Sequence, residues 1–563
     1  MSFRGLLREK IDKLRGKMKV DYPDVHIRDA KHIVILPIFK EKSKVDVTYP
    51  LIEPFVTAKI KWDKEEKCII YYAQEPELTK KEKDVMEKIK NDLLEVIDVS
   101  LSVVKKKNET FNYLKSKVSE IIDDENIVVG PDSYTKIMYY IFRDFAGLNE
   151  IEPLMHDPYI EDIGCDGTTT NMFVTHRRFG SIKTNIRLEN NENLGKFVIK
   201  LAERCGRYIS YAMPLLDGSL PDGSRVQATL AKDVTTHGPT FSIRKFREEP
   251  LSPIELINLN TASPELMAYL WIMMEYRASL LICGGVSSGK TTLLNAITMF
   301  IPPENKIVSI EDTRELNLPH ENWIPSVSRI GFGIPEIGGK IYGEVSLFDL
   351  LRESFRQNPD YVIVGEVRGK EAYVMFQGMA SGHASMGTIH AGSIEDVIKR
   401  LETPPIELSP GLIETLDIII IMARAREKGD SARRVKEIHE VESIDKVSGN
   451  ARTVKTFEWV PSSDAYEKNM IESHMLRKIS HASGVSYQHM ESELETRKKI
   501  LTWMRNHNVI DFQEVSKYVN LYYKDSPVLM DWVNSDIPPT KGENKIKKKN
   551  KLKESASGLK MMD

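Results

Sequence analysis

The chain has 563 residues, of which 41% are hydrophobic and 29% charged, so it resembles ordinary globular proteins and is too long for a single hydrophobic core. Its formal net charge of -3 argues against a protein whose whole surface binds nucleic acid. The cysteines form no CxxC pair for zinc or redox chemistry, and no apolar run reaches the roughly 18 to 20 residues of a membrane span, so we expect a cytoplasmic protein with reduced thiols.

The first predicted element is a basic amphipathic helix over residues 2–20. Phe3, Leu6 and Leu14 fall near one face, while arginines and lysines fill most of the remainder. Such a helix either contacts acidic lipid at a membrane surface or packs as an ordinary surface helix on its own domain. The pattern leaves both interpretations open.

Residues 1–130 are predicted to combine this helix with a small α+β domain. Apolar residues alternate in VTAKIKW and KCIIYYA, which predicts two strands between Tyr49 and Tyr72. Thr79 and Glu82 then form a capping box, which predicts a helix that begins after Thr79.

Residues 131–236 are predicted to form a second α+β domain. Helical patterns run over 134–145 and 194–203, and turn signals follow at Pro214, Asp217-Gly218 and Asp222-Gly223. The sequence His237-Gly238-Pro239 is typical of a hinge, so we predict a linker over 237–250.

The pattern changes over residues 251–461, where short apolar strands alternate with helices. This alternation predicts a mostly parallel sheet covered by helices. The predicted strands are 279–283, 306–310, 361–364 and 385–389.

A helical region is predicted over residues 462–535, with Asp511 and Glu514 capping one of its helices. Residues 536–563 carry many lysines and few apolar side chains, so we predict a basic disordered tail.

The segment GGVSSGKT satisfies the phosphate-loop pattern G-x-x-x-x-G-K-[ST], with the strand SLLIC before it and the helix TTLLNAITMF after it. Glycines let backbone N–H groups turn toward phosphate oxygens, Lys290 reaches the β- and γ-phosphates, and the Thr291 hydroxyl ligates Mg²⁺. We therefore predict that the chain binds ATP with Mg²⁺. The predicted nucleotide-binding residues are Gly284, Gly285, Val286, Ser287, Ser288, Gly289, Lys290, Thr291 and Thr292.

Carboxylates flank two of the later strands. Glu366 follows strand 361–364, and Glu311 with Asp312 follows strand 306–310, which predicts that they meet at the edge of the sheet where ligands bind. Glu366 is the best candidate for polarising the attacking water, but either Glu311 or Glu366 satisfies the role of base, with the other binding metal or water. Thr291, Asp360 and Asp312 are the predicted ligands of nucleotide-bound Mg²⁺. No His/Cys cluster offers a competing metal site.

Two histidines and three arginines complete the candidate site. His383 and His390 bracket the strand-like SMGTI, where a neutral imidazole can hydrogen-bond the γ-phosphate; the alternative is a core histidine. Arg225, Arg244 and Arg247 precede the phosphate loop and are candidates to supply positive charge across a domain or subunit boundary, which predicts an oligomer. A solvated basic strand edge is the alternative for any one of them.

Taken in order, these motifs resemble the secretion ATPase superfamily of type II secretion and type IV pilus assembly. The similarity is strongest to its archaeal branch, which includes the archaellum motor and pilus ATPases, because YPLIEPFVTAKI and ELETRKKILTWM are similar to that branch. The tetracysteine insert of the bacterial proteins is missing after the histidine box. The shared motifs are EPLMHDPYIEDI, PLLDGSLPDGSRV, SIRKF, the phosphate loop, SIEDTRE, FRQNPDYVIVGEVR and SGHASMGTIHAG.

The resemblance implies a fold, a partner and an activity. The fold is a C-terminal RecA-type P-loop domain of the α/β class, preceded by α+β domains and followed by a helical tail. The implied assembly is a homo-hexamer, with nucleotide between N- and C-terminal domains and the arginines facing its γ-phosphate. It is expected to be cytoplasmic and peripheral at the inner face of the cell membrane, docked on a polytopic membrane platform protein.

The implied activity is ATP hydrolysis that drives the assembly or rotation of a pilin-like filament, most specifically an archaellum. The alternatives are an archaeal type IV pilus or type II secretion ATPase and, more distantly, a nucleic-acid-translocating ring ATPase. Near-neutral charge and the lack of aromatic-basic stripes argue against nucleic acid as a partner. A nucleotide-binding scaffold without turnover is disfavoured because Lys290, Thr291, Glu311 and Glu366 are all present.

Overall fold

The computed structural model describes residues 41–96, 107–246, 249–329, 342–427, 430–445, 451–469 and 473–538, together with positions 23, 25, 28, 29, 36, 37, 39 and 331. The chain divides into two compact units, Met1–Phe246 and Arg247–Asp563. Each is described by itself.

One sheet runs through the first unit. In the part of the chain that the structure describes, it has ten strands in the order β1-β2-β3-β4-β7-β6-β5-β10-β9-β8. The strands are β1 Arg28–Asp29, β2 Asp46–Glu53, β3 Val56–Asp63, β4 Cys68–Gln74, β5 Ile160–Cys165, β6 Phe173–His176, β7 Gly180–Thr184, β8 Leu215–Ser219, β9 Arg225–Thr229 and β10 Thr240–Arg244. Strand β3 shows why such segments pair: Val56, Ala58 and Ile60 are buried on one face, while the residues between them face outward.

The two predicted N-terminal domains share this sheet. Strands β4 and β7 pair in parallel, with Ile70 opposite Lys183 and Tyr71 opposite Thr184, and this pairing joins the strands before and after residue 130. The predicted linker at 237–250 also differs from the structure, since it contains β10, which pairs with β5 and β9. The boundary between the units lies after Phe246.

Helices cover the sheet of the first unit. The predicted capping box is confirmed, because Thr79 N and Thr79 Oγ1 both donate to Oε2 of Glu82. The first three helices pack together around Ile89, Val118 and Ile137, and the last packs on the sheet. The helices are α1 Lys80–Val96, α2 Lys107–Asp124, α3 Pro131–Phe145, α4 Glu152–His156 and α5 Asn191–Arg204, with 3₁₀ turns at Lys42–Lys44 and Asn149–Ile151.

The second unit contains the predicted mostly parallel sheet. Its described strands are in the order β13-β12-β14-β15-β11-β16-β17-β18-β19, parallel from β13 to β16 and antiparallel from there on. The strands are β11 Leu280–Gly284, β12 Ile307–Glu311, β13 Trp323–Val327, β14 Tyr361–Val364, β15 Ala384–Ile389, β16 Ile418–Glu427, β17 Asp430–Ile444, β18 Ala451–Val460 and β19 Ala465–Lys468. The four predicted strands correspond to β11, β12, β14 and β15.

Helices lie on both faces of this sheet, because the parallel strands are buried on both faces. Along β11, Leu280 and Ile282 belong to one core, and Leu281 and Cys283 to the other. The helices are α6 Pro253–Asn258, α7 Pro264–Glu275, α8 Lys290–Thr298, α9 Leu347–Ser354, α10 Glu371–Ala380, α11 Ile394–Glu402, α12 Pro410–Ile413, α13 His474–Ser483, α14 Tyr487–Asn506 and α15 Phe512–Asn534, with a 3₁₀ turn at Phe355–Gln357.

The C-terminal helices are an integral part of the second unit. Leu501 of α14 and Trp532 of α15 share a core with Leu293 of α8. Asp511 caps α15 as predicted, accepting from the backbone N–H groups of Gln513 and Glu514. The helical region therefore does not form a separate domain.

The predicted helix at 2–20 lies outside the described residues, as does the tail from 539 onward. Within the described ranges, no helix is both long enough and apolar enough to cross a bilayer.

Candidate nucleotide-binding site

The phosphate loop connects β11 to α8, as its sequence predicts. Gly284 has φ 158°, and a β-carbon there would lie 2.5 Å from Oγ of Ser288 and 2.8 Å from the carbonyl oxygen of Met422, so a side chain does not fit. Gly289 has φ 94° and is the N-cap of α8, with no side-chain cap hydrogen bond. The first N–H groups of α8 thus face the loop, in the arrangement that binds phosphate at a helix N-terminus.

Lys290 is the first residue of α8, at the end of the loop, and it is largely buried. Its Nζ donates to the carbonyl oxygens of Gly284 (3.1 Å) and Gly285 (3.0 Å) and lies 3.4 Å from Nδ1 of His390. Burial lowers the pKa of Lys290 below its ordinary value, and the nearby charge of Glu366 offsets part of this effect. The ammonium group is thereby held among acceptors that phosphate oxygens can replace.

Glu366 and His390 extend this cluster across the neighbouring strands. Nε2 of His390 is 3.1 Å from Oε1 of Glu366. A lysine ammonium group only donates, so Nδ1 of His390 accepts from Lys290, and Nε2 carries the proton that it donates to Glu366. Burial and the charge of Lys290 lower the pKa of His390, which favours this neutral imidazole. The structure therefore places Lys290, His390 and Glu366 in one chain of contacts.

Arg368, for which the sequence predicts no role, contacts the other side of Glu366. Its NH2 contacts Oε2 of Glu366, and its NH1 lies 3.5 Å from Oδ2 of Asp312. Burial raises the pKa of Glu366, but the hydrogen bond and charge of Arg368, together with His390 and Lys290, outweigh it and hold the pKa below its ordinary value. The sequence signal for this contact is the spacing of Glu366 and Arg368, because side chains two positions apart in an extended segment face the same side.

Glu311 ends β12 beside the turn that carries Glu366. Its side chain is buried, its Oε1 accepts from the backbone N–H groups of Glu315 and Leu316 (both 2.9 Å), and its buried Oε2 has no hydrogen-bond partner among the described residues. A β-carbon at Gly365 would lie 3.0 Å from its Cγ. Burial raises the pKa of Glu311 to about 7. The predicted meeting of Glu311, Asp312 and Glu366 at one edge is confirmed.

Asp360 is the first predicted site residue that the structure places elsewhere. It precedes β14, so it lies at the amino edge of the parallel strands, whereas the phosphate loop follows the carboxyl edge of β11. Its carboxylate pairs with Arg277 (2.7 Å) and accepts from the backbone N–H of Lys306 (2.8 Å). The prediction that Asp360 ligates the metal is therefore wrong.

His383 is the second predicted site residue that the structure places away from the phosphate loop. It precedes β15, whereas His390 follows it, so a strand of about 20 Å separates the two rings. Nδ1 of His383 lies 3.2 Å from the carbonyl oxygen of Pro359, and its ring packs against Phe355 with a centroid distance of 5.1 Å. Its predicted contact with the γ-phosphate is wrong, and the alternative of a structural histidine holds.

The predicted arginines belong to the first unit or fall outside the described residues. Arg225 and Arg244 are directly opposite each other on β9 and β10. Arg225 pairs with Asp217 at 3.1 Å and Arg244 with Asp162 at 3.0 Å. Arg247 lies outside the described residues. Their role at a nucleotide stays a prediction.

The residues at the carboxyl edge fit a nucleotide with Mg²⁺. Phosphate oxygens match the N–H groups of the uncapped helix and the ammonium group of Lys290. Thr291, in the first turn of α8, and Asp312 offer the hydroxyl and carboxylate oxygens that Mg²⁺ prefers. The buried Oε2 of Glu311, which has no hydrogen-bond partner among the described residues, is a further acceptor at this edge of the sheet.

Comparison with known proteins shows the family of the chain. The family model of type II/IV secretion system proteins matches residues 146–508, more than half of the chain. The chain belongs to this family. The match spans the last strands of the first unit and most of the second unit, including every candidate site residue.

Two relatives illustrate the range of this secretion family. An uncharacterized protein of Methanocaldococcus jannaschii is 39% identical over 404 residues, which cover 71% of this chain and 72% of the relative. The type IV secretion system protein PtlH of Bordetella pertussis is 31% identical over 280 residues, which cover 44% of this chain and 80% of PtlH. Among solved structures, the ATPase DotB of Legionella pneumophila matches 68% of this chain and 95% of its own, with 16% identity and a TM-score of 0.38.

Proposed function

We propose that this secretion-family chain hydrolyses ATP in the second unit. The observation that carries the proposal is the contact chain from Lys290 through His390 to Glu366, with Glu311 adjacent. Phosphates bind to the N–H groups of the loop and of the first turn of α8, and Lys290 exchanges its two carbonyl acceptors for phosphate oxygens. The γ-phosphate then lies next to Glu366.

Two carboxylates are candidates for orienting the attacking water. The lowered pKa of Glu366 keeps it ionised, and His390 and Arg368 fix its orientation. Glu311 has a pKa of about 7, close to the optimum for a general base, but its side chain is buried and holds the loop at 315–316. We assign the water to Glu366, because it contacts His390, which in turn contacts Lys290.

Thr291 and Asp312 are the residues that would hold nucleotide-bound Mg²⁺, and Asp312 is also fixed by Arg368. When bound, Mg²⁺ offsets negative charge on the phosphate oxygens. The protein's own contribution is a set of donors and carboxylates that are already oriented before nucleotide binds.

The test of hydrolysis uses Lys290→Ala and Glu366→Gln in the full chain. Lys290→Ala is expected to lose both nucleotide binding and turnover, whereas Glu366→Gln is expected to bind ATP and lose turnover by about 100-fold or more. Glu353→Gln is the matched control, because Glu353 is exposed and pairs only weakly with Arg356 at 3.3 Å. Undiminished phosphate release in both site variants would refute the proposal.

We further propose that the chain works as a homo-hexamer at the inner face of the cell membrane, docked on a polytopic membrane platform protein. Its proposed work is the assembly or rotation of an archaellum filament. The archaeal similarity of YPLIEPFVTAKI and ELETRKKILTWM supports this assignment, as does the archaeal relative at 39% identity. The similarity to PtlH supports the alternative of a secretion or type IV pilus system.

Co-purification from native membranes distinguishes these alternatives. Recovery of a polytopic membrane protein together with archaellin subunits would support the archaellum assignment, and recovery of other pilins or secretion components would support the alternative. Light scattering with and without ATP tests the hexamer. Stimulation of hydrolysis by DNA, rather than by membranes that contain the platform, would contradict the filament motor.

A further inference from the structure

Arg424 and Arg433 lie on the β16–β17 hairpin, beside the phosphate loop. Strand β16 runs parallel to β11, and the last pair of residues between them is Gly284 and Met422. Strand β16 continues beyond this pair to Arg424, and β17 returns with Arg433 directly opposite Arg424. The hairpin thus extends past the carboxyl edge of β11, where the phosphate loop begins.

These arginines are on the same face of the sheet as the helix of the phosphate loop. Met422 and Arg424 are two positions apart in the strand, so they share a face. Met422 and Val435, which are opposite each other, belong to the same core as Leu293 of α8. Arg433, two positions from Val435, therefore projects on the side where α8 and its phosphate loop lie.

The stem of Arg433 lies against the loop itself. A β-carbon at Gly289 would be 3.5 Å from Cγ of Arg433 and 3.6 Å from Cε of Met422. Gly289 immediately precedes Lys290, and Arg433 is half-buried while Arg424 is exposed. The side chain of Arg433 thus begins in contact with the phosphate loop, at Gly289.

The order of the strands places Arg433 and the candidate catalytic groups on opposite sides of β11. His390 and Glu366 follow β15 and β14, and Glu311 ends β12. These three strands lie on one side of β11, whereas β16 and β17 lie on the other. A triphosphate with its γ-phosphate between Lys290 and Glu366 therefore directs its nucleoside away from the carboxylates and toward the hairpin. This step rests on the proposed function, because it uses the assigned position of the γ-phosphate.

We propose that Arg433 binds the nucleoside end of the nucleotide, with its planar guanidinium stacked on the base. Arginine suits this role, because its flat, weakly hydrated cation stacks on aromatic rings, whereas the ammonium group of a lysine does not. Arg433 then determines affinity for nucleotides over inorganic polyphosphate and does not take part in hydrolysis. Arg424 is exposed and opposite Arg433, and it adds positive charge on the same face of the sheet.

The experiment compares ATP, ADP and inorganic tripolyphosphate as ligands of the full chain. Arg433→Gln is expected to weaken ATP and ADP binding about tenfold and to change tripolyphosphate binding less than about twofold. The KM for ATP should rise by a similar factor, while kcat stays within about twofold. Arg433→Lys keeps the stem and the charge, so it is the second variant in case Arg433→Gln does not fold, and the same selective loss is expected.

Arg452→Gln is the matched control. It removes the same charge from the same antiparallel part of the sheet, but Arg452 is opposite Ser443, near the other edge, and pairs with Glu442 at 2.8 Å. Equal losses for ATP and tripolyphosphate, unchanged ATP affinity in Arg433→Gln, or full ATP affinity in Arg433→Lys would each overturn the inference. Wild-type chain that binds neither ATP nor tripolyphosphate would instead refute the proposed function.

Discussion

Replacing Glu311 by glutamine is expected to stabilise the second unit at alkaline pH. The glutamine carbonyl can still accept from the N–H groups of Glu315 and Leu316, so the loop keeps its two hydrogen bonds. What disappears is a buried charge, one of whose oxygens has no hydrogen-bond partner among the described residues. The variant thus separates the free-energy cost of burying the charge from the contribution of the two hydrogen bonds that the side chain accepts.

The magnitude follows from the pKa. Burial raises the pKa of Glu311 from 4.5 to about 7, and at roughly 1.4 kcal/mol per pH unit this corresponds to about 3 kcal/mol. The folded chain keeps the proton at pH values where the unfolded chain has lost it. The stabilising contribution is therefore complete below pH 4.5 and decreases as the pH rises toward 7. Glutamine should gain under about 1 kcal/mol at pH 5 and about 3 kcal/mol at pH 8.

Thermal unfolding followed by tryptophan fluorescence is a suitable assay, since of the six tryptophans only Trp62 lies in the first unit. For a unit of roughly 300 residues, the gain at pH 8 corresponds to a rise in Tm of about 4 to 6 °C. Glu353→Gln, at an exposed position, should shift Tm by less than about 1 °C at either pH. Equal shifts for Glu311→Gln at pH 5 and pH 8, or none at pH 8, would refute the reasoning.

Three further predictions concern the rest of the structure. Arg497→Met leaves Glu275 and Glu493 without their buried guanidinium partner and should cost about 3 to 5 kcal/mol in urea unfolding of the second unit; a loss below 1 kcal/mol would contradict this. Gly289→Ala places a side chain at φ 94° and should cost about 1 to 2 kcal/mol in the same measurement and weaken ATP binding in titrations, so unchanged affinity would argue against the loop geometry. Arg225→Gln loses one half-exposed ion pair, worth under about 1 kcal/mol, yet should lower phosphate release at least tenfold if this arginine faces a nucleotide; unchanged turnover would remove it from the site.

Local patterns were enough to predict the phosphate loop and the strands beside it. A strand, a glycine-rich turn and a helix are set by neighbouring residues, so GGVSSGKT and the segments at 306–310 and 361–364 could be assigned without any long-range contact. Residues that directly follow a parallel strand meet at one edge of the sheet. For that reason Glu311, Asp312 and Glu366 were correctly expected to lie together.

The same rule, applied to residues before a strand, would have corrected two errors. Asp360 and His383 precede β14 and β15, so they lie at the opposite edge, and their contacts with Arg277 and Pro359 are structural. Glu366 and His390 follow the same two strands, so the length of a strand separates Asp360 from Glu366 and His383 from His390.

Only the tertiary structure could decide which strands become neighbours. The pairing of β4 with β7 merges two predicted domains into one sheet, and the pairing of β16 with β17 brings Arg433 against Gly289. Such contacts depend on burial between segments far apart in the chain, which composition and periodicity do not specify. The sequence by itself determined that the chain has a phosphate loop with carboxylates near it. The packing of distant strands decided which charged groups surround that loop.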